Sequence, residues 1–354
     1  MKGLILSGGK GTRLRPITHT SAKQLVPVAN KPVLFYGVEA MAEAGIEEVG
    51  IIIAPETGGE IREVTGDGSR FGVRVSYIEQ AEPLGLAHAV LTAEAFLGDD
   101  PFVMYLGDNL LQGGIVDLVA AFREHRPEAL ILLTPVSDPE NYGVAELDGG
   151  RVVRLAEKPA QPATDLALVG VYMFTPAIHD AARAIAPSAR GELEITDAIQ
   201  YLVDTDRRVE PHVVRGWWKD TGRLDDILEA NRLVLDRVDA RVEGELVESS
   251  CDGRVVVEPG ARLERSTVRG PAIIGAGARL VDCYVGPYTA IGEGCTIERA
   301  EVEHSILLAG SSVTGLEGRM ESSLLGRNVS IGRGVGQPRA YRFMVGDNSE
   351  IGIL

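Results

Sequence analysis

The first 31 residues combine an apolar strand, a glycine-rich loop and a set of cations. The apolar segment 3–6 leads into Gly8, Gly9 and Gly11, and no acidic residue occurs before Glu39. The basic residues that follow the strand are Lys10, Arg13, Arg15, Lys23 and Lys31. Free backbone N–H groups beside cations bind phosphate. This segment therefore predicts a polyphosphate site in preference to a solvated turn with scattered surface charge.

The loop departs from two common phosphate loops. A Walker loop has Ser or Thr after its lysine, and Lys10 is followed by Gly11. A dinucleotide loop needs a third glycine where Leu14 stands. The sequence G-G-x-G-T-R-L-x-P, followed by K-Q-L-x-P-V, instead resembles the sugar-nucleotide pyrophosphorylases, and Lys23-Gln24 resembles the glucose-1-phosphate thymidylyltransferases in particular. The resemblance implies that the nucleotide contacts Leu6, Gly8, Gly9, Gly11 and Thr12.

Two aspartates are candidate metal ligands. Asp108 follows the apolar strand 102–106, and Asp220 lies in W-W-K-D-T-G. Two carboxylates on one rim can hold Mg²⁺, which prefers hard oxygen ligands and keeps substrate phosphates in its shell. The matching G-D-N and W-x-D-T-G residues bind the metal in the resembled family. The resemblance thus implies Mg²⁺ on Asp108 and Asp220. Structural capping is the alternative, and it is stronger for Asp220.

A second signature is Glu157-Lys158-Pro159. A Glu–Lys pair on a loop usually faces solvent. The resemblance implies instead that Lys158 binds the phosphate of a sugar 1-phosphate and that Glu157 accepts sugar hydroxyls. In the run R-G-E-L-E-I-T-D at 190–197, Glu192 would orient the hexose. The other residues that the resemblance places at the sugar are Asn109, Tyr142, Gly143, Val169 and Trp218.

The base pocket is expected at Gln24, Gln80 and Gly85, which match family positions facing a pyrimidine. An amide carries both a donor and an acceptor, as the O2, N3 and O4 edge of thymine or uracil requires. The two bases differ by one methyl, which discriminates by about 10–200-fold. We therefore expect UTP to be a poorer substrate than dTTP but not an excluded one.

The implied reaction is dTTP + α-D-glucose 1-phosphate ⇌ dTDP-glucose + pyrophosphate, by in-line attack of the sugar phosphate on the α-phosphorus. Arg13 would hold the leaving phosphates, Lys23 would neutralise charge near the α-phosphate, and Lys158 would aim the nucleophile. Three alternatives stay open: a glucose-1-phosphate uridylyltransferase, a bifunctional pyrophosphorylase and acyltransferase, and a sugar-nucleotide sensor without activity. Acyl transfer would need a base, usually a histidine, in the β-helix region. His304 is the one histidine after residue 246.

The elements that position these residues alternate between strands and helices up to about residue 215. Continuous apolar strands between helices predict an α/β fold, a Rossmann-like and mostly parallel sheet with helices on both faces. Such sheets bind ligands at the carboxyl ends of their strands, which places Gly8 and Asp108 on one rim. The predicted helices are 32–44, 85–97, 114–125 and 223–238, the strands are 49–54, 102–106 and 130–134, and a hairpin spans 143–156.

From about residue 246 apolar residues recur every five or six positions, and several precede glycine. The repeat includes Ile274, Leu280, Val285, Ile291, Ile297 and Val302, with later copies at Ile331-Gly332 and Ile351-Gly352. It resembles the hexapeptide repeat of left-handed β-helices, whereas β-sandwich strands recur every 8–12 residues. We predict a nucleotidyltransferase domain over 1–240, on which helix 223–238 docks, and a left-handed β-helix over 246–354.

Composition narrows the class of protein. The 354 residues are 45% hydrophobic and carry a net charge of −16, which argues against nucleic acid and anionic membranes as partners. No apolar run reaches the length of a membrane span, and no signal peptide is visible. Three cysteines without CxxC spacing indicate reduced thiols. We therefore expect a cytoplasmic enzyme that forms a homo-oligomer, with the β-helix as its assembly module.

Overall fold

A computed structural model of the protein describes residues 1–9, 11–19 and 21–333. Lys10 and the predicted repeat at Ile351-Gly352 lie outside the described residues. The contacts divide the chain into two units. The sheet unit consists of Met1–Lys10, Ala22–Leu25 and Val33–Asp220, and the β-helix unit consists of Gly11–Ser21, Val26–Pro32 and Thr221–Leu354. By contacts the chain divides after Asp220, and two N-terminal segments group with the second unit. The domain bounds 1–240 and 246–354 stay a prediction.

The strands and helices have the following bounds. The first strands are β1 (Lys2–Ser7), β2 (Pro27–Val28), β3 (Lys31–Pro32), β4 (Glu48–Ile53), β5 (Arg74–Glu79), β6 (Phe102–Leu106), β7 (Asn109–Leu111), β8 (Ala129–Pro135), β9 (Gly143–Asp148), β10 (Arg151–Glu157), β11 (Leu166–Phe174), β12 (Val209–Val213) and β13 (Trp218–Asp220). The α-helices are α1 (Val33–Glu43), α2 (Gly58–Thr65), α3 (Leu86–Thr92), α4 (Glu94–Leu97), α5 (Val116–His125), α6 (Ala177–Ala184), α7 (Ile195–Asp204) and α8 (Leu224–Leu235). Short 3₁₀ turns occupy Thr12–Leu14, Ile17–His19, Lys23–Leu25, Ser69–Phe71 and Pro139–Asn141.

The large sheet has a parallel centre in the order β6-β1-β4-β5. Strand β11 is antiparallel to β6 and also pairs with β8, to which β12 is parallel. Successive strand residues point to opposite faces. Leu4 accordingly lies in the core cluster that includes residues of α3, α6 and α7, and Ile5 lies in the cluster that includes residues of α1 and α5. This arrangement confirms the predicted Rossmann-like sheet covered on both faces.

The predicted helix 85–97 is two helices, α3 and α4, which meet at Ala93. At the end of α3 the Thr92 hydroxyl donates to the carbonyl of His88 at 2.8 Å, a bond that competes with the helical ladder. The predicted hairpin 143–156 is confirmed as β9 and β10, turned through Gly149 and Gly150 at φ 54° and 81°. No helix in the described part of the chain has the length and apolar character that a membrane crossing needs.

The β-helix unit stacks short strands in three parallel sheets. Its strands are β14 (Arg241–Val242), β15 (Glu245–Val247), β16 (Ser250–Asp252), β17 (Val255–Val257), β18 (Arg262–Glu264), β19 (Thr267–Arg269), β20 (Ala272–Ile274), β21 (Arg279–Val281), β22 (Tyr284–Val285), β23 (Thr289–Ile291), β24 (Thr296–Glu298), β25 (Glu301–Glu303), β26 (Ile306–Leu307), β27 (Ser312–Thr314), β28 (Arg319–Glu321), β29 (Leu324–Leu325) and β30 (Ser330–Gly332). Leu263, Leu280 and Ile297 stack 17 residues apart, and each is 0% exposed. Three strands per coil account for the repeat of five or six residues, and the left-handed β-helix prediction holds.

Helix α8 belongs to the β-helix unit rather than to the sheet unit on which the sequence predicted it to dock. Its Asn231 is 0% exposed. The Asn231 amide accepts from the backbone N–H of Ala29 at 2.8 Å and donates to the carbonyl of Tyr288 at 3.0 Å. One side chain thus ties the hairpin β2–β3 and α8 to a coil. The outward positions Ala290 and Ile306 are apolar and fully buried, so this face needs a cover such as α8, which contacts β23.

Candidate active site

The carboxyl ends of β1, β4 and β6 lie side by side at one rim of the parallel sheet. The loop after β1 approaches other groups closely. A Cβ on Gly9 would lie 2.8 Å from Cε of Lys23, and a Cβ on Gly107 would lie 2.6 Å from Oγ of Ser7. Real Cβ atoms do not tolerate such distances. A side chain at Gly9 would displace the Lys23 ammonium, and one at Gly107 would also press on the backbone carbonyl of Leu6 at 3.0 Å.

Lys23 and Asp108 form an ion pair at this rim. Burial by itself would raise the pKa of Asp108, but the Lys23 ammonium and hydrogen bonds hold the pKa of that carboxyl below its usual range. Asn109 contributes one of these bonds through Nδ2, 3.1 Å from Oδ1 of Asp108. Asp108 is therefore a carboxylate, as a ligand of a divalent cation must be.

Asp220 lies beside Asp108 through strand pairing. In the antiparallel pair β7–β13, Asp220 is the register partner of Asn109, the residue after Asp108. Trp218 fixes the pairing, because its Nε1 donates to Oδ1 of Asn109 at 2.6 Å. Two carboxylates fit Mg²⁺, whose remaining ligands are usually water and substrate phosphate. The described residues contain no group of three or more His, Cys, Asp or Glu side chains placed for a metal. The metal-ligand roles of Asp108 and Asp220 stay predictions.

A small open pocket lies on the same rim. It is lined by Gly8, Ala54, Pro55, Glu56, Gln80, Ala81 and Pro83. Gln24 is 1% exposed, and its Oε1 has no hydrogen-bond partner among the described residues. Gly85 has φ 106°, and a Cβ there would lie 2.4 Å from the carbonyl oxygen of Leu193. Of the predicted base residues, Gln80 lines this pocket together with Gly8 of the predicted phosphate loop, whereas Gln24 and Gly85 are not among its lining residues. The close approach of Leu193 leaves no room for a side chain at Gly85.

The Glu157 carboxylate is held at both oxygens. The Thr196 hydroxyl donates to Oε2 at 2.7 Å, and Nη2 of Arg190 donates to Oε1 at 3.1 Å. Nζ of Lys158 lies 3.7 Å from Oε1. Arg190 also binds Glu194, which is 4% exposed. Within the second signature, Glu157 is therefore part of a hydrogen-bonded network, whereas the Lys158 side chain is 43% exposed.

Further predicted sugar residues meet at the same place. The rings of Tyr142 and Trp218 are 5.5 Å apart in an edge-to-face arrangement. The carbonyl of Tyr142 accepts the backbone N–H of Lys158 at 3.0 Å, which joins this ring pair to the Glu157 network. A Cβ on Gly143 would lie 3.0 Å from Oε2 of Glu157. The sheet unit thus has a small pocket at Gln80, an ion pair at Lys23 and Asp108, and a hydrogen-bonded network around Glu157.

Comparisons with known proteins agree with this arrangement. The sequence profile of the family described as Nucleotidyl transferase matches residues 2–237. A glucose-1-phosphate thymidylyltransferase of Streptomyces antibioticus is 59% identical over 100% of this chain and 99% of its own length. The chain belongs to the glucose-1-phosphate thymidylyltransferase family. The low-salt glycan biosynthesis nucleotidyltransferase Agl11 of Haloferax volcanii is 49% identical over 99% of both chains. The crystal structure of a UDP-glucose pyrophosphorylase complexed with UDP-glucose matches 67% of this chain and 98% of its own at 26% identity, with a TM-score of 0.60.

Some predicted site residues of this thymidylyltransferase-family chain are placed differently. The side chains of Leu6 and Val169 are 7% and 0% exposed and lie in the cores, so they can offer a ligand only their backbone. Glu192 pairs with Arg190 at 3.7 Å. Gly11, Thr12 and Arg13 belong by contacts to the β-helix unit. Their roles at the nucleotide stay predictions from the sequence.

Sequence reasoning missed several residues of the site. Ala54, Pro55 and Glu56 line the pocket, and they follow β4, the strand beside β1. The rule that ligands lie at carboxyl strand ends, applied to β4, would have found them. Gly170, which follows the predicted sugar residue Val169, packs closely against Asn109: a Cβ there would lie 2.7 Å from Oδ1 of Asn109.

His304, the base that acyl transfer would need, lies in the turn between β25 and β26 and contacts residues of neighbouring turns. Its Nδ1 lies 3.3 Å from the Ser322 hydroxyl, and its ring meets Tyr288 edge-on at 6.3 Å. The residue has φ 42°, and its N–H donates to the carbonyl of Pro287. These contacts give the histidine a structural place between coils and do not favour the acyltransferase alternative.

Proposed function

We propose that the chain transfers a thymidylyl group from dTTP to α-D-glucose 1-phosphate and releases dTDP-glucose and pyrophosphate. The observation that carries the proposal is the Lys23–Asp108 pair beside Gly9, on the rim that also holds the Gln80 pocket. A partly buried cation next to a carboxylate at a glycine loop suits phosphoryl chemistry. The identity of the base and sugar follows from the similarity to thymidylyltransferases over the full length.

The reaction joins two anions. An oxygen of the sugar phosphate attacks the α-phosphorus of dTTP, and the bond from that phosphorus to the bridging oxygen breaks as pyrophosphate leaves with the electron pair. No covalent enzyme intermediate is needed. The protein must position the reactants and offset their charge. Lys23 neutralises charge near the α-phosphate, Arg13 holds the leaving phosphates, and Lys158 orients the sugar phosphate.

Asp108 and Asp220 are the residues that would hold Mg²⁺. The bound cation would supply charge neutralisation and polarise phosphate oxygens. Without the cation, the Lys23 ammonium pairs with the Asp108 carboxylate and balances its charge. Removal of divalent cations with EDTA is expected to abolish turnover, and added Mg²⁺ is expected to restore it.

The Glu157 network would bind the hexose. Arg190 and Thr196 leave the Glu157 carboxylate in one orientation, and a fixed carboxylate selects a fixed set of sugar hydroxyls. The aromatic pair Tyr142 and Trp218 offers apolar surface beside it. Asn109 and the backbone at Gly143 and Val169 complete the predicted sugar site.

The experiment that tests the function is pyrophosphate release with Mg²⁺ and α-D-glucose 1-phosphate across dTTP, UTP, ATP, CTP and GTP. We expect dTTP to lead and UTP to trail by about 10–200-fold in kcat/KM. A lead by UTP would identify a uridylyltransferase and overturn the base assignment. Lack of turnover with every nucleotide would contradict the proposal as a whole and favour the sensor alternative.

We also propose a homo-oligomer in the cytoplasm. The first coil of the β-helix leaves Val242 and Leu246 49% and 37% exposed, which favours this unit as the assembly module. Cys251, Cys283 and Cys295 are free thiols, as in a reducing compartment. Light scattering of the purified chain and fractionation of cells test the two statements, and a monomer or a membrane-bound enzyme would contradict them.

A further inference from the structure

The amide of Gln80 uses both of its N–H groups within the protein. Nε2 of Gln80 lies 3.3 Å from the carbonyl oxygen of Gly85 and 2.8 Å from Nδ1 of His88. A carbonyl oxygen can only accept a hydrogen bond. The atom beside Gly85 must therefore be the NH₂ group of the amide, which removes the usual ambiguity between its oxygen and nitrogen.

The orientation of Gln80 in turn defines the state of His88. Because the NH₂ group of Gln80 donates, Nδ1 of His88 must accept, and the imidazole is the neutral tautomer with its proton on Nε2. With both donors engaged, Oε1 is the atom that Gln80 presents to a ligand. That oxygen lies on the Gly8 side of the pocket, 3.5 Å from where a Cβ on Gly8 would be.

The groups that hold the amide are themselves fixed. The backbone of Gln80 donates to the carbonyl of Ile53 at 2.9 Å, at the end of the parallel strands. Leu193 holds the segment around Gly85 through two backbone hydrogen bonds. Its N–H donates to the Leu84 carbonyl at 2.7 Å, and its carbonyl accepts from the N–H of Ala87 at 3.0 Å. His88 follows on the first turn of α3. Rotation of the Gln80 amide would break two hydrogen bonds at once.

We propose that His88 is a positioning residue that keeps the Gln80 oxygen directed into the base pocket and so makes the site reject cytosine. The inference rests on the proposed function and deepens it. Thymine and uracil carry a proton on N3 and can donate to the Gln80 oxygen. Cytosine has a lone pair on N3, so the same oxygen would face a second acceptor. His88 thus separates dTTP and UTP from the cytosine nucleotides and does not distinguish thymine from uracil, which differ only in the methyl.

The test compares two variants of similar shape, His88→Asn and His88→Leu. Asn places an acceptor near the position of Nδ1, and Leu does not. We expect His88→Leu to reduce the dTTP-to-dCTP ratio of kcat/KM by about 3- to 10-fold, the value of one hydrogen bond. His88→Asn should keep the wild-type ratio. The dTTP-to-UTP ratio should stay unchanged in both variants, because that pair differs only in the methyl.

Thr92→Ala is the matched control, since its hydroxyl binds the His88 carbonyl on the same helix without touching the imidazole. It should leave both ratios unchanged. The role of His88 is overturned if His88→Leu leaves the dTTP-to-dCTP ratio unaltered, or if the wild type uses dTTP and dCTP equally. Neither result affects the proposed function as long as the wild type turns over dTTP. Absence of wild-type turnover with dTTP would count against the proposed function instead.

The tautomer of His88 can also be measured directly in the wild type, independently of any activity. Long-range ¹H–¹⁵N correlation spectra of the full chain report the tautomer of each imidazole, with the His88 signals identified by their loss in His88→Asn. We expect the Nε2–H tautomer. A proton on Nδ1 would mean that Gln80 presents its NH₂ group to the base, and the proposal would fail.

Discussion

The ammonium of Lys23 pairs with the carboxylate of Asp108 although 85 residues separate them. Lys23 lies in a 3₁₀ turn and Asp108 follows β6, so the ion pair joins two separate segments of the chain at the rim. Their side chains are 18% and 12% exposed. At such burial each charge depends on the other, which links the stability of the rim to the chemistry proposed for it.

Replacement of Lys23 by Met is expected to lower kcat/KM by about 10²–10³, as loss of one charge-stabilising donor does. It should also lower the free energy of unfolding by about 3 kcal/mol, because Asp108 would remain as a buried charge without this partner. Steady-state kinetics and denaturant unfolding measure the two effects. The double variant Lys23→Met/Asp108→Asn should recover stability but not activity. A loss of tenfold or less in kcat/KM would remove Lys23 from the reaction.

Loss of the Thr196 hydroxyl should weaken sugar binding. Thr196→Val removes the 2.7 Å bond to Glu157, a bond to a charged group, and we expect the KM for glucose 1-phosphate to rise by roughly tenfold. The kcat should change much less, because Thr196 acts through Glu157. Thr196→Ser keeps the donor and should behave as the wild type. An unchanged KM in Thr196→Val would mean that Glu157 does not need this bond.

Gly85 should tolerate no side chain. Gly85→Ala would place Cβ 2.4 Å from the Leu193 carbonyl at φ 106°. Gly85 has φ 106° and ψ 173°, a conformation essentially confined to glycine, and a side chain there costs about 1–3 kcal/mol before any clash is counted. We expect a loss of at least that size in the free energy of unfolding and a higher KM for dTTP. Gly59→Ala is the control: it is in α2 with no atom within 4 Å, and it should be neutral or slightly stabilising.

His179 should make the fold sensitive to acid. It is 4% exposed, and neither ring nitrogen has a hydrogen-bond partner among the described residues. Burial lowers the pKa of His179, against an opposing effect of Glu94. The unfolded chain therefore binds more protons below about pH 6.5, and stability falls as the pH falls through that range.

His179→Phe should remove this dependence. The ring of His179 stacks on Phe102 at 6.0 Å, so Phe is a suitable replacement. We expect the free energy of unfolding to rise by about 1 kcal/mol at pH 7.5, because a buried unsatisfied donor is lost. The gain should be larger at pH 5. Urea unfolding at both pH values measures it, and equal differences at the two pH values would contradict the pKa argument.

The sequence by itself determined the two architectures. The β-helix repeats a unit whose apolar residues contact only the coils above and below, so Leu263, Leu280 and Ile297 reveal their stacking through spacing alone. The strand β6 was predicted with its observed bounds because a buried parallel strand is a continuous apolar run. The rim also followed from the sequence, since Gly8 comes directly after β1 and Asp108 follows the end of β6 with one residue between them.

Only the tertiary structure decided which side chains meet at that rim. The pairs Lys23 with Asp108, Gln80 with His88, and Glu157 with Thr196 hold the site together. Helix α8 likewise joins the β-helix unit through Asn231, against the prediction from its position in the chain. Periodicity reports which face of an element is buried, whereas the partner of a polar side chain depends on the order and register in which elements stack. The two members of such a pair can lie far apart in the sequence, so the pairing is known only once the order and register of the strands are known.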